Sequence, residues 1–593
     1  MNDQFWRSTN KSDHLFVALA WLTALAVLFI QLGSAPLTDL DEGAFSEASR
    51  EMLIRGDFIS PWLLDTPRFD KPVLTHWAQM LGFELLGLNA WGARLHSALA
   101  GLVWIGAIGG WAYLIAQRLS LGQPVEGGAA LRAYGWAVLI SATCLGIPAM
   151  SRAATADALL NAWMAMSLLF VWKSLFTDKS PSSSQRKNFR WATVFIGLGL
   201  LTKGPIAVLV PGAAALLASL VTGRLLQLLR LVADPWVWLI PMTISGPWYL
   251  LQFQAQGMAF IEGFLGLHNL GRFTQTMHGF SAGPLYYPGW MLIASLPWLP
   301  LVVFTLWQGL RFKLRQTELV LCWNVFLFVV VFFSFSATKL PHYGFYGLSG
   351  LIVLMAILAA GIEQRTSGRS PDESHRIRPL PGVRIQSIGF IFAALCAAGL
   401  ALLPVWFAAA TAGVTDAYYA LVLADAAERF EDLTWAFGLM GLMVMVGVVM
   451  TIAITITDLS SSNALDGRHL APANWLPACL PIWLAATTFA IGLHGLVVPT
   501  IMKSLREPIR EIATAIRTMP VDGPQAPHRI ITWRLTAPSL SFEAQRVISA
   551  GTPQPGDWVV LHAKDLAALE RETTCNRGDQ KFKQLGIAVI VCR

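Results

Sequence analysis

Three acidic residues, Asp39, Asp41 and Glu42, stand within four positions in the stretch "LTDLDEGAFSEASREML" (37–53), directly after the hydrophobic run 16–35. Asp70 and Lys71 follow in "RFDKP", Arg152 and Asp157 in "SRAATADALLNAW", Lys203 in "LTKGP", and Lys339, His342 and Tyr343 in "ATKLPHYG". A carboxylate cluster with several cations and a tyrosine suits a substrate made of a lipid tail, a phosphate and a polar head. Lysine and arginine would neutralise the phosphate. A carboxylate would act on the acceptor or hold the head group. Asp39 and Asp41 also form a D-x-D, a pattern that can hold a divalent cation through hard oxygen ligands.

Each of these residues also has a plainer reading. Asp41 and Glu42 precede a helix start, where carboxylates satisfy free N–H groups and the helix dipole. Asp157 sits near the start of its apolar run and can cap it. Lys71, Lys203 and Lys339 can meet lipid headgroups, and His268 and His278 can be ordinary loop histidines. It is the convergence of the set, rather than any one member, that points to chemistry.

The elements that must position these residues are membrane helices. The 593-residue chain is 55% hydrophobic and 13% charged, against about 25% charged in ordinary soluble domains. Apolar runs long enough to cross about 30 Å of hydrocarbon recur near residues 14–35, 92–117, 131–149, 155–175, 190–204, 206–222, 236–253, 287–309, 317–335, 343–362, 386–408, 433–457 and 474–499, about thirteen spans in all. The first run is too long, and lacks the cleavage site, for a removable signal peptide. A charge in the membrane core costs about 2.5 to 3.5 kcal/mol on insertion scales, so ionisable groups belong at span ends or at functional positions.

Lysine and arginine concentrate in alternate loops, from Arg7 and Lys11 through Lys173–Arg190 to Arg365–Arg384. The positive-inside rule makes these loops cytoplasmic, and an odd number of spans sends the C-terminus and the acidic stretch to the outer side. The net charge of +7 then reflects topology, and no nucleic-acid partner is implied. Three outer segments are long enough to fold: 36–91, 254–286 and 500–593.

In the first, "AFSEASREMLIRG" reads as a helix lying on the membrane, with Glu47, Arg50 and Glu51 on its solvated face and Gly56 as its stop. "KPVLTHWAQMLGFELLG" reads as a second juxtamembrane helix. The segment 254–286, rich in glycine and aromatics and carrying His268, Arg272 and His278, reads as an irregular functional loop. Beyond residue 500, strand-like "HRIITWRL", "DWVVLHA" and "GIAVIVCR" alternate with helix-like pieces, predicting a small α/β domain. Cys575 and Cys592 fall in that outer domain, where a disulfide can form; Cys144, Cys322, Cys396 and Cys479 read as buried apolar residues. "TDKSPSSSQRKN" and "RTSGRSPDESHRIRP" read as cytoplasmic linkers.

With these motifs the chain resembles the bacterial aminoarabinose transferase family, which moves 4-amino-4-deoxy-L-arabinose from undecaprenyl phosphate to lipid A, and more broadly the protein O-mannosyltransferase-like, C-type glycosyltransferases. "DEGAFSEASREML" with "GDFISPWLLDTPRFDKP" looks like the family's first periplasmic loop. "LTKGP", "KLPHYG", "PLYYPGW…SLPW" and "PSLSF" are similar to its later motifs, in the same order. The resemblance implies an α-helical polytopic membrane protein with a C-type glycosyltransferase fold, a transmembrane domain over 1–499 and a periplasmic α/β domain over 500–593. It implies a place in the bacterial inner membrane with the active site and C-terminus periplasmic.

It also implies Asp41, Glu42 and Asp157 as catalytic acids. Lys71, Arg50, Lys203, Lys339, Tyr343 and Arg68 would bind the lipid phosphate and sugar, and Asp70 and His268 could match a metal-coordinating pair for a divalent cation, with no cofactor otherwise required. The partners implied are a polyprenyl-phosphate sugar donor, lipid A or another envelope acceptor, and membrane lipids. The chain departs from the family at Gly43, Ala44 and Phe45, where relatives carry T-R-Y, and at Arg68, where they carry an aromatic. These departures fall beside the expected sugar pocket.

The competing reading is a transporter or flippase of a lipid-linked glycan. Transporters usually show repeated halves and charged or broken helices near the midplane; here no internal repeat is visible and the polar cluster lies at one surface. A sensor whose outer domain binds a partner is a third reading, disfavoured by the acidic loop ahead of all other motifs. If the acceptor is a hydroxyl, Asp41 must take its proton as general base. If it is a phosphate, no base is needed and the acids would bind a cationic sugar or position the acceptor.

Overall fold

The computed structural model describes residues 11–119, 128–177, 182–271, 274, 283–311, 317–360, 382–410, 414, 417–462, 475–520, 529–573, 575, 577–584 and 586–592. Long apolar helices dominate, as a chain in hydrocarbon must satisfy its backbone groups internally. Among the described residues, six helices are long and apolar enough to cross a membrane, or seven if the bent pair Leu225–Val232 and Trp236–Gly271 is one span. Shorter apolar helices, Ile206–Val221, Val320–Ser334 and Phe390–Ala401, occupy further expected spans. By length and apolarity the described residues thus reach fewer than the thirteen expected.

The helices pack through small residues: Ala20 and Ala24 of Lys11–Phe29 are fully buried, and a Cβ on Gly101 would stand 2.5 Å from Ser151 Oγ. Close backbone approach is the usual way such helices associate in lipid. Buried tryptophans add polar ties between spans. Trp104 Nε1 donates to Ser349 Oγ at 2.8 Å and Trp298 Nε1 to Thr143 Oγ1 at 2.9 Å.

The segment between the first two spans carries two helices, Ala44–Arg55 and Leu74–Leu86. The first ends at Gly56, whose left-handed backbone (φ 64°, ψ 20°) returns its N–H to the carbonyls of Leu53 and Met52, the usual glycine stop. Its polar face differs from expectation. Glu47, Arg50 and Glu51 are all buried, at 0%, 2% and 2% exposure, so they do not form a solvated face.

The reason is that each has a partner. Arg50 forks onto Glu47 at 2.6 and 2.7 Å, and Glu51 accepts the N–H groups of Leu64 at 2.5 Å and Asp65 at 3.2 Å. Leu64 and Asp65 both have positive φ in the two-residue turn joining the short strands β1 (Trp62–Leu63) and β2 (Thr66–Pro67). Such a turn favours glycine or asparagine, and here Glu51 holds it in their absence.

The second outer segment is also more ordered than expected. Helix Trp236–Ile261 breaks at Gly257 (φ 59°, ψ −143°) and passes into a wide helical turn over Glu262–Gly271, so its described part is helical and not an irregular loop. Arg272, His278 and the linker 365–379 lie outside the described residues.

Toward the C-terminus one helical rod runs from Cys479 to Arg517, with no break at residue 500. Its last part, Val498–Arg517, is amphipathic and buries Ile509, Ile512, Ala513 and Ile516 against Leu540, Val560, Ile587 and Val589. A four-stranded sheet follows in the order β3 (Ile530–Thr532), β4 (Trp558–His562), β6 (Ile587–Cys592), β5 (Arg577–Gln584). The β3–β4 pair is parallel and the others antiparallel. Strand β5, "RGDQKFKQ", lacks the apolar alternation of an interior strand, as suits an edge position. Cys575 and Cys592 are disulfide-bonded, closing a separation of 17 residues.

Candidate active site

Asp39, Asp41 and Glu42 share one wide π-type turn, Asp39–Gly43, closed by Gly43 N–H to Thr38 O at 2.7 Å. Such one-turn bulges occur frequently at functional sites. Each carboxylate has a different set of neighbours. Glu42 is buried in a cage. It takes the Arg94 guanidinium at 2.7 and 2.9 Å, the N–H of Ala154 at 2.8 Å, and the N–H and hydroxyl of Thr38 at 3.0 and 3.1 Å. Burial alone would raise its pKa, but Arg94 and the N–H donors more than offset this and leave it lowered. A carboxylate that accepts five hydrogen bonds, two of them from a locked counter-ion, is an anchor, and this geometry argues against the catalytic role expected of Glu42.

Asp39 is buried against the C-terminal segment. It accepts Arg506, and its Oδ1 accepts the hydroxyl and the backbone N–H of Ser539, the latter at 3.2 Å. Asp41 alone remains exposed. Its surroundings still raise its pKa, first through desolvation and then through the charge of Asp157, while Lys203, Lys71 and Arg68 pull the other way. Asp39 and Asp41 therefore look to different partners, and the D-x-D does not close on one ion.

The groups that act on Asp41 come from three places in the chain: Asp157, Lys203 and the Arg68–Lys71 turn. Asp157 opens the helix Asp157–Phe176, and Lys203 ends the helix Ser183–Lys203. Lys203 Nζ donates to Asp157 Oδ1 at 2.5 Å and to the Tyr346 hydroxyl at 3.0 Å, and that hydroxyl lies 3.3 Å from the same Asp157 oxygen. Lys203 also stands 5.7 Å from the ring centres of both Tyr343 and Tyr346. An ammonium has three donors, so this arrangement leaves one for a substrate oxygen. Helix termination at Lys203 depends on Gly204, with φ 76° and a Cβ position 2.6 Å from the Phe264 ring.

Tyr346 was not among the sequence candidates. Its only signal is that it follows Tyr343 by three residues, one turn further along "HYGFYG". Arg94, the counter-ion of Glu42, was missed as well, because nothing local distinguishes an arginine early in an apolar helix.

Lys71 and Arg68 flank Asp70. Arg68 forks onto Asp70 at 2.6 and 2.9 Å and lies 4.6 Å over the Phe45 ring, while Lys71 stands 3.6 Å from the same carboxylate. Burial would raise the Asp70 pKa, yet Arg68, Lys71 and, more weakly, His268 drive it far below the usual carboxylate range. A divalent ion here would have to displace the guanidinium. Among the described residues no three His, Cys, Asp or Glu side chains gather to hold an ion. The Asp70 and His268 pair, as placed, fits a resident metal poorly, because Asp70 already serves as the anchor of Arg68.

Two other expected binders are engaged elsewhere. Arg50 is spent on Glu47. Lys339 Nζ caps the end of helix Val320–Ser334, donating to Ser334 O at 2.9 Å and Ser336 O at 2.8 Å. The structure thus brings together Asp41, Asp157, Lys71, Lys203, Tyr343 and Arg68, adds Tyr346, and sets Glu42, Arg50 and Lys339 to supporting tasks.

Known proteins resemble this chain in sequence and in fold. Residues 70–245 match the family model described as dolichyl-phosphate-mannose-protein mannosyltransferase. An undecaprenyl phosphate-alpha-4-amino-4-deoxy-L-arabinose arabinosyl transferase of Pseudomonas fluorescens is 25% identical over 586 residues, covering 93% of this chain and 88% of that protein. One of the same name from Edwardsiella ictaluri is 29% identical over 59% of this chain and 60% of its own length. The fold is that of ArnT from Cupriavidus metallidurans, solved bound to undecaprenyl phosphate, with a TM-score of 0.71, 97% of both chains covered and 21% identity. Over nearly its whole length the chain is thus similar in sequence to an aminoarabinose transferase, and it shares the membrane fold of ArnT.

Proposed function

We propose that the chain is an integral-membrane glycosyltransferase. It takes a sugar from a polyprenyl phosphate donor, with undecaprenyl phosphate the carrier and 4-amino-4-deoxy-L-arabinose the leading sugar, and passes it to lipid A or another envelope acceptor. One observation carries this reading: the exposed Asp41 faces a cluster of Lys71, Arg68 and the buried Lys203–Asp157–Tyr346 network. Carboxylate and cations adjoin at the end of apolar helices, as a phosphate between a lipid tail and a sugar requires. The names of the relatives and the undecaprenyl phosphate bound to ArnT support the same carrier. An inner-membrane position with this face in the periplasm is supported by the loop charges and by the Cys575–Cys592 disulfide, which belongs to an oxidising compartment.

In the reaction an acceptor oxygen attacks the anomeric carbon while the bond from that carbon to the phosphate oxygen breaks. The polyprenyl phosphate leaves with the bonding pair, and Lys71 and Lys203 stabilise its growing charge. Asp157 holds Lys203 in place, and Tyr343 and Tyr346 wall it from the side. With a hydroxyl acceptor, Asp41 takes the proton, for which its raised pKa suits it. With a phosphate acceptor no proton moves, and Asp41 then holds a positive amino sugar.

The test is mass spectrometry of lipid A and other surface glycans from cells with and without the gene. Loss of one sugar on deletion, restored by the wild-type chain but not by Asp41→Asn or Lys71→Ala at matched expression, is the expected result. Full restoration by Lys71→Ala would remove its role at the phosphate.

A further inference from the structure

Asp39 has no part in the chemistry assigned above, yet it is 2% exposed and held by two distant residues. Arg506, 467 positions away, lies on helix Val498–Arg517, and Ser539, 500 positions away, opens the short helix Pro538–Ala544. Ser539 supplies both its hydroxyl and its backbone N–H to Asp39 Oδ1. The approach is close enough that a Cβ on Gly43 would stand 2.7 Å from Ser539 N. Three residues on, Phe542 is buried among Leu37, Phe83, Ala93 and Ala154, its ring 5.4 Å from that of Phe83. "PSLSF" therefore sits in the crevice between the first outer segment and the span behind it.

The turn Asp39–Gly43 is thus gripped from two sides. Arg94 and Ala154 of the membrane body hold Glu42, and Ser539 and Arg506 of the C-terminal segment hold Asp39. Asp41 lies between the two grips and is aimed by the backbone of the turn. We propose that Asp39 is a positioning residue through which the C-terminal segment sets the turn and aims Asp41, making "PSLSF" a working part of the transfer site. This rests on the reading that Asp41 faces the reaction.

The test uses the full chain in lipid nanodiscs and compares Asp39→Asn, Ser539→Ala and the double variant. Misplacing a catalytic group by about 1 Å costs up to about a hundredfold in rate, so each single variant is expected to lose about tenfold or more in kcat. KM for the polyprenyl phosphate sugar should stay within about twofold, and the double variant should lose no more than the worse single one, the signature of one shared contact. Arg506→Lys keeps the charge and is expected to retain most of the rate that Arg506→Ala loses.

A merely structural contact would instead leave kcat intact in the variants whose thermal midpoint is unchanged, and that result overturns the proposal. Losses that multiply in the double variant also overturn it. Hydrogen exchange at the Gly43 amide, bonded to Thr38 O, gives a readout independent of activity: it should quicken in Ser539→Ala. If the wild-type chain transfers no sugar, the reaction assigned above fails while the exchange result still decides the grip; unchanged exchange overturns the grip itself.

Discussion

Among four neighbouring positions, three carboxylates have three fates, decided by what surrounds them rather than by their type. Glu42 is paid for by Arg94, since an isolated buried charge is prohibitive and a paired one is not. Glu42→Gln leaves the Arg94 guanidinium buried without its counter-charge and should cost about 3 to 5 kcal/mol, read as a fall in the thermal midpoint of the detergent-solubilised protein. The sign of the pH dependence follows from the lowered pKa. The contribution of Glu42 is fully present above its ordinary value of 4.5 and is lost as pH falls below it through the folded-state value. Acidification from about pH 4.5 downward should therefore loosen the first outer segment in wild type and much less in Glu42→Gln.

Asp41 behaves in the opposite sense. Its pKa is raised above 3.8, so transfer to a hydroxyl acceptor should decline, as pH is lowered, at a value above 3.8. Transfer to a phosphate acceptor that needs no base should lack this limb. A pH profile of kcat/KM with each acceptor distinguishes the two. Asp41, Lys71, Asp157 and Lys203 could be singled out in the sequence because charge in an apolar chain is costly. The division of labour between Asp41 and Glu42 could not, since it rests on Arg94, 52 positions away.

At the scale of elements, the helices of the first outer segment could be read from periodicity and from Gly56, but their environment could not. The spacing of Glu47, Arg50 and Glu51 says which face they share; only the tertiary partners, Arg50 on Glu47 and Glu51 on the β1–β2 turn, say that this face is buried. The ends of elements matter most where they carry a site residue. Helix Ser183–Lys203 stops at Gly204, whose backbone (φ 76°, ψ −142°) a residue with a Cβ adopts only with strain. The space is also closed by Phe264. Gly204→Ala should shift Lys203 off Asp157 and Tyr346 and lower kcat by about tenfold or more, with far less effect on expression. Steady-state kinetics on matched membrane preparations checks this, and a rate equal to wild type would detach Gly204 from the site.

At the scale of the molecule, composition and loop charge announced a membrane protein, because hydrocarbon imposes so simple a rule on sequence. The number of spans was less accessible: short and proline-bent helices such as Trp236–Ile261, with Pro241 and Pro247 inside it, blur hydropathy into runs that do not map one to one onto crossings. The rod from Cys479 to Arg517 was hidden for a similar reason, as its apolar part passes through a wide π-type turn at Gly492–Val497 into an amphipathic part and stays helical throughout. Strand β5 was missed because an edge strand need not alternate.

The central claim is that this molecule breaks the bond between a sugar and a polyprenyl phosphate and makes a new one to an acceptor. The most direct measurement is to reconstitute the purified chain with a doubly labelled polyprenyl phosphate sugar and an acceptor lipid, and to follow both labels. Free polyprenyl phosphate should appear in equal amount with sugar on the acceptor, and Asp41→Asn and Lys203→Ala should each abolish both. Movement of the intact glycolipid across the bilayer with no bond cleaved would contradict the account.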